Sequence, residues 1–404
     1  MAGLGSNLDS VRRRNLASVL TLIHHSGAIS RARLTAQTGL NRSTIAGLVG
    51  ELAELDLVVE RTPEATNRVG RPSPQVMPHG TPAVLAVNPE VDAVTVALVG
   101  FGGRVERRVR RECDGVPTPE AAVGAVTEIV EEMSTVLADR RLYGAGLAVP
   151  GLVRSGDGVV RWAPHLGWVE APIAGMLERE LGVPVLAGND ASLGAIAEHL
   201  YGAGRGIRHL VYLNGGASGI GGGMIVDGRP LGGAGGYAGE FGQNSVAGPP
   251  EHRRTDDGTL EDEVNRARLL DAAGIPGADE TELDRALLTS LDPAVAAELA
   301  RQRSILGTAL AGIVNALNPE LVVLGGFLAT VLASDPVRLE RIVAERAVPA
   351  AYEGVRMLPA ALGPDRLLIG AAELALSRLL SDPVQAVSAH PRAASRRGRP
   401  GRAG

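Results

Sequence analysis

The 404-residue chain contains no lysine, so all 40 of its basic residues are arginine. With abundant Ala, Gly and Val, this points to GC-rich coding rather than to a mechanism. There is one cysteine, Cys113, which excludes an internal disulfide and any cysteine-cluster zinc site within one chain. No stretch approaches the ~20 apolar residues that a membrane span needs, and no charged-then-apolar leader opens the sequence. The expected location is cytoplasmic, nucleoid-associated when bound to DNA, with no membrane partner. What is present is a globular composition, 45% hydrophobic and 21% charged, on a chain long enough for two or three domains.

The net charge of −5 is unevenly spread. Residues 1–80 hold nine Arg against six acids, and the last 17 residues hold five Arg against none. Between them lie 26 Arg and 39 acids. A basic head on an acidic body suggests a polyanion contacted by the head alone.

From Val11 to Met77 the pattern is three helices and a β-ribbon. Leu16, Val19, Leu20 and Ile23 recur at helical spacing. Ser30 caps a second helix carrying Leu34, and Gly39 supplies the left-handed turn that helix-turn-helix units place before their third helix. Asn41 caps that third helix, which packs through Ile45, Leu48, Val49, Leu52 and Leu55. Arg42, Ser43, Thr44 and Gly47 are left facing outward, where a recognition helix meets base edges of double-stranded DNA. Leu57-Val58-Val59 reads as a strand, followed by a polar turn and Gly70-Arg71-Pro72. Arg68 and Arg71 then fall on a wing that reaches the minor groove or phosphates. The plainer alternative is a helical dimerisation bundle with incidental arginines.

Beyond Thr81, short apolar runs alternate with helical stretches, as in an α/β domain. The runs are Ala83–Val87, Val94–Val99, Gly144–Val149, Val183–Leu186, His209–Leu213 and Leu321–Leu324. Helices are expected over Ala121–Ala138 and Ala171–Leu181, with long ones over Asp262–Leu270 and Pro293–Leu317.

Several motifs then occur in one order. They are Val149-Pro150-Gly151, Ala163-Pro164-His165-Leu166-Gly167-Trp168, Gly188-Asn189-Asp190-Ala191, Ala217 to Gly223, Gly239-Glu240-Phe241-Gly242-Gln243 and Leu324-Gly325-Gly326-Phe327. Together with the head they make the chain resemble the ROK family (repressor, open reading frame, kinase), in particular regulators of the xylose/N-acetylglucosamine repressor type. The resemblance implies a winged helix-turn-helix followed by a two-lobed actin-like sugar-kinase domain. It also implies that Asn189 and Asp190 meet a sugar, Asp190 in the place of the general base. The alternative for that pair is an Asx turn between strand and helix. Glu240 and Glu261 match sugar-contacting acids, although Glu261 could instead be a solvated helix-start carboxylate. Gln243 replaces the family's His, and His165 stands where Asn is usual.

Two departures bear on activity. Where family kinases carry a glycine-rich first phosphate loop, this chain reads Asn88-Pro89-Glu90-Val91-Asp92, which lacks an N–H at Pro89 and adds two acids. Nothing there is expected to attract a nucleotide. The second loop, Ser218 to Gly223, survives, and its glycines are read as serving the backbone. The family's zinc motif is replaced by His252 to Thr259, with no thiolate, so Pro249–Gly258 is expected to be held by other contacts or to be mobile.

The expected organisation is a DNA-binding head over 1–80, a two-lobed body over 81–385 and a basic disordered tail over 386–404. The head is expected to be removable without unfolding the body. The expected function is a sugar-responsive repressor, a homodimer or homotetramer on operator DNA, with a sugar or sugar-phosphate effector. No cofactor, metal or kinase activity is expected, and Asp190 is then a vestigial base. Two alternatives stand beside it: an ATP-dependent sugar kinase with a regulatory head, and a ligand-independent regulator whose body is a scaffold.

Overall fold

Local signals build the head as the sequence suggests. The computed structural model describes residues 5–61, 74–246 and 258–389. Helix α1 (Gly5–Ser26) buries Leu16, Val19, Leu20 and Ile23. Strand β1 (Ile29–Ser30) leads into α2 (Arg31–Thr38), where the Ser30 hydroxyl accepts from the Arg33 amide. Gly39 ends α2 at φ 70°, a left-handed conformation that costs a Cβ-bearing residue more than glycine. Asn41 then caps α3 (Arg42–Glu54), accepting from the Thr44 amide at 2.8 Å. Strands β2 (Val58–Arg61) and β3 (Gln75–Pro78) pair antiparallel, and β1 joins β3 on its other edge. The wing arginines Arg68 and Arg71 lie outside the described residues.

The first lobe follows. Strands β4 (Pro82–Pro89), β5 (Ala93–Gly100) and β6 (Arg104–Glu112) form an antiparallel meander. Helices α4 (Pro119–Glu132) and α5 (Ser134–Leu137) lead to β7 (Arg141–Val149), which pairs parallel with β4. A small antiparallel flap of β8 (Leu152–Val153), β9 (Val160–Ala163) and β10 (Trp168–Ala171) interrupts the lobe. After α6 (Ile173–Leu181), β11 (Val185–Asn189) completes the five-stranded sheet β11-β7-β4-β5-β6, and α7 (Asp190–Tyr201) leaves its end.

The second lobe opens with β12 (Leu210–Gly216), β13 (Gly219–Val226) and β14 (Arg229–Pro230). Helices α8 (Leu260–Glu263), α9 (Arg266–Ala273), α10 (Glu280–Thr289) and α11 (Pro293–Leu317) follow. Strand β15 (Leu321–Gly326) and helices α12 (Phe327–Ser334), α13 (Pro336–Arg346) and α14 (Pro349–Tyr352) precede β16 (Arg356–Pro359). Its sheet runs β14-β13-β12-β15-β16, again a hairpin joined to parallel strands. The two sheets and their helices make the two-lobed actin-like body. The chain then crosses back through α15 (Arg366–Ser381), which packs on α7, β7 and β4, and ends in α16 (Pro383–Ala389).

Three expectations need correction. Asp262–Leu270 is not one helix, because Val264 is extended (φ −99°, ψ 95°) and Asn265 starts a new helix by accepting from the Ala267 amide. The tail does not begin at 386, because Asp382 caps α16 through the Gln385 amide and carries the helix to Ala389. Residues 390–404 lie outside the described residues. Nor is the head a separate module. Its Leu16, Val19, Leu20 and Ile23 belong to the same apolar core as Leu368, Ala372 and Leu376 of α15.

Candidate functional site

On the head, α3 presents Arg42, Ser43 and Gly47 as exposed residues and Thr44 half-buried, while Ile45, Leu48, Val49 and Leu52 face inward. Ser43 Oγ lies 2.7 Å from Asn41 Oδ1, to which it donates, so the first turn is tied to its cap. Arg31 is committed to the ribbon instead: its guanidinium grips the Glu60 carboxylate with two bonds of 2.5 Å.

In the body, a cavity of about 130 Å³ collects His165, Asn189, Asp190, Glu240, Gln243 and Glu261, all six of the residues singled out for a sugar. Asn189 and Asp190 stand where β11 turns into α7. The Asn189 side chain accepts from the Ser192 amide at 2.9 Å and donates to the Gly151 carbonyl at 3.1 Å. Asn189 is therefore the Asx cap of α7, with one N–H and one lone pair remaining for a ligand. Asp190 accepts from the Ala191 amide at 2.7 Å. Burial pushes its carboxyl up to about 6, the Ala191 N–H opposing and the nearby Glu240 adding to the rise. Glu240 is raised too, first by burial and then by Glu261.

Glu261 stands in the first turn of α8, half-buried, with both carboxylate oxygens engaged. Its Oε2 accepts from the Ile220 amide at 3.1 Å and its Oε1 from Gln243 Nε2 at 2.6 Å. What holds it there is a buried network behind α8. Arg301 of α11 donates Nη1 to Glu263 at 2.8 Å, Nη2 to the Glu263 carbonyl at 2.6 Å, and Nε to Glu298 at 2.9 Å. Gln302 adds bonds to Glu298 and to the Asn265 carbonyl. Residues 247–257, which include most of the stretch standing for the zinc motif, lie outside the described residues. The residues present do not fit a thiolate-held zinc, since Cys113 is the sole thiol of the chain and sits beyond β6.

Beside the cavity, the β4–β5 hairpin carries Asn88 to Asp92 into the cleft between the lobes. Its acids do not stand alone. Arg110 of β6 bridges them, donating to Glu90 at 3.2 Å and Asp92 at 3.0 Å. The meander puts β6 beside β5, which the sequence separation concealed. Most of the surviving stretch is strand β13, and its glycines admit close neighbours: a Cβ on Gly221 would lie 2.6 Å from that of Ala191 on α7.

One group of residues carried no sequence signal. The end of α1 brings His24 and His25 against Glu373 of α15 and Tyr201, the last residue of α7. His24 Nε2 is 2.7 Å from Glu373 Oε1, His25 Nε2 is 3.3 Å from Oε2, and the Tyr201 hydroxyl donates to Oε1 at 2.7 Å. The Gly102 amide donates to His24 Nδ1 at 3.0 Å. That bond leaves Nδ1 unprotonated, so the neutral ring carries its hydrogen on Nε2, aimed at Glu373. The ligand-type atoms of His24, His25 and Glu373 lie within 4.8 Å of one another. With Nε2 turned to Glu373, the group makes a hydrogen-bonded joint between head and body. Burial would raise Glu373, but the two imidazoles outweigh it and hold the carboxyl below its ordinary range.

Known proteins are similar to this chain over much of its length. The xylose repressor of Caldicellulosiruptor bescii is 23% identical over 395 residues, covering 93% of this chain and 99% of its own. The glucokinase of Halalkalibacterium halodurans is 29% identical over 282 residues, 63% of this chain and 84% of its own. Among solved structures, a ROK family transcriptional regulator described as a homolog of the E. coli MLC protein superposes with a TM-score of 0.74 at 24% identity. It covers 93% of this chain and 99% of its own. At that identity the superposition speaks for the fold. The sequence pattern of the ROK family matches residues 84–378, most of the chain, and the protein belongs to that family.

Proposed function

We propose that the chain is a sugar-responsive transcriptional repressor that binds operator DNA through α3 and senses its effector in the cavity headed by Asp190. The observation that carries this reading is α7. It begins with Asp190 in the cavity and ends with Tyr201 against His24 of the head. A helix is stiff over such a length, so a ligand that moves its first turn also loads the joint that seats the DNA-reading unit. Relatives named xylose repressors match the chain over head and body alike, which supports the same reading. A dimer or tetramer would present paired heads to a palindromic site. The effector acts by binding the DNA-competent and DNA-incompetent arrangements with different affinity.

Kinase activity is not part of this reading. The hairpin from Asn88 to Asp92 offers acids held by Arg110 in the place where a phosphate would need N–H donors. Neither a nucleotide nor a resident metal is called for, the Arg301 network doing the anchoring behind Glu261. One observation favours the second reading, a sugar kinase: Asp190, at about 6, is suited to accept a proton near neutral pH. Two assays on the purified full chain decide. Gel-shift titration on fragments upstream of its own gene should give specific binding that weakens steeply with salt. A coupled assay with hexoses, ATP and magnesium should stay at background. Turnover that Asp190→Ala abolishes would establish the kinase instead.

A further inference from the structure

The chain has two tryptophans among only ten aromatic residues, and they serve opposite ends. Trp168 is 2% exposed, and its Nε1 donates to the Pro117 carbonyl at 2.9 Å, so it belongs to the core of the first lobe. Trp162 is 49% exposed and lines the cavity of Asp190, Glu240 and Glu261. It sits in the middle strand of the flap, across from Val169 on β10 and Leu152 on β8. Cross-strand partners share a face, so the flap presents an apolar row with the indole at its centre. Val169 in that row is 68% exposed.

We propose that Trp162 is a stacking platform that fixes one face of an unphosphorylated pyranose in this cavity. The proposal rests on the sugar reading above and adds its recognition chemistry. A pyranose has hydroxyls around its rim and a face of C–H groups. The cavity has matching halves. Asp190, Glu240 and Glu261 provide carboxylate oxygens that accept from hydroxyls, and Trp162 provides a flat apolar surface. An indole keeps few rotatable bonds, so it orders the ligand at small entropic cost. Charge completes the selection. Among the described residues no arginine lines the cavity, and the chain has no lysine. The nearby Arg366 already donates Nε to Asn214 and Nη1 to the Gly363 carbonyl. A phosphate or uronate placed among three carboxylates therefore meets like charge, and the nearby Arg366 is already engaged elsewhere.

The test uses the full chain and a panel of D-xylose, D-glucose, D-glucosamine, N-acetyl-D-glucosamine, D-glucose 6-phosphate and D-glucuronate. Melting temperature, tryptophan emission and acrylamide quenching are read together. At least one uncharged or amino sugar should raise Tm, shift the emission to the blue and shield one of the two tryptophans from acrylamide. Trp162→Ala should raise the Kd of that sugar tenfold or more while leaving the unliganded Tm within a few degrees. Trp162→Phe should recover most of the affinity, which a merely structural role would not require. An unchanged Kd in Trp162→Ala would overturn the platform and leave the sugar reading standing. Tightest binding by glucose 6-phosphate would overturn the charge selection. A panel in which no sugar shifts Tm would remove the sugar reading and the platform with it.

Discussion

Asp190 is the residue on which ligand binding and stability pull against each other. Its carboxyl is raised from 3.8 to about 6 because burial and Glu240 disfavour its charge. A group raised on folding contributes stability below its unfolded value and loses it as pH climbs through the folded value. The unliganded protein should therefore weaken between pH 4 and 6, by at most about 3 kcal/mol at this one site, less the screening by water in the cavity. Asp190→Asn keeps the acceptor for the Ala191 amide but carries no charge. It should be more stable than the natural protein at pH 7.5, equal to it near pH 4, and deficient in sugar binding. Urea unfolding at the two pH values checks this. A stability difference that is the same at both would mean that ionisation of Asp190 is not its source.

At the scale of elements, the head was legible because its signals are local. Ser30, Gly39 and Asn41 each do in the structure what their types and positions imply, and the apolar spacing of α1 and α3 picks out the buried side. Asn41→Ala should cost about 1 kcal/mol and blunt DNA binding by fraying the first turn of α3. Arg42→Ala should leave stability almost unchanged and cost ~1–3 kcal/mol at the base it meets. Gel shifts on specific and random DNA distinguish the two, since equal losses on both for Arg42→Ala would deny it base readout. Six of the body's strands, β4, β5, β7, β11, β12 and β15, were legible as apolar runs and the cavity residues as motifs, whereas the arginine-rich β6 gave no such run. The sequence did not disclose what meets across long separations. Arg110 answers Glu90 because β6 lies against β5, and Arg301 anchors α8 from a helix that starts thirty residues later. The break at Val264 was hidden for another reason: a capping Asn inside an otherwise helical stretch reads as a tolerated polar residue until the turn around it is seen.

For the whole molecule, the consequential pairing spans the chain: His24 and Glu373 stand 349 residues apart yet share a buried bond. That bond, with Tyr201 and the apolar contacts of α1 on α15, ties the head to the body. Removing residues 1–80 would expose the α15 surface and strip the imidazoles from Glu373, so the shortened body should melt lower and bind apolar dyes. The sharper experiment keeps the chain intact. Tyr201→Phe deletes one hydroxyl and leaves the ring, taking from Glu373 a donor it cannot replace in a buried setting. The expected cost is about 1–3 kcal/mol. Because the loss falls at the joint, hydrogen exchange should quicken in the last turns of α1 and of α7 while α11 in the second lobe stays protected. If the joint transmits between cavity and head, the same variant should bind operator DNA nearly as well as the natural protein but respond less to sugar. Loss of protection spread evenly over both lobes would instead make Tyr201 an ordinary core residue, and the path from effector to DNA would have to run elsewhere.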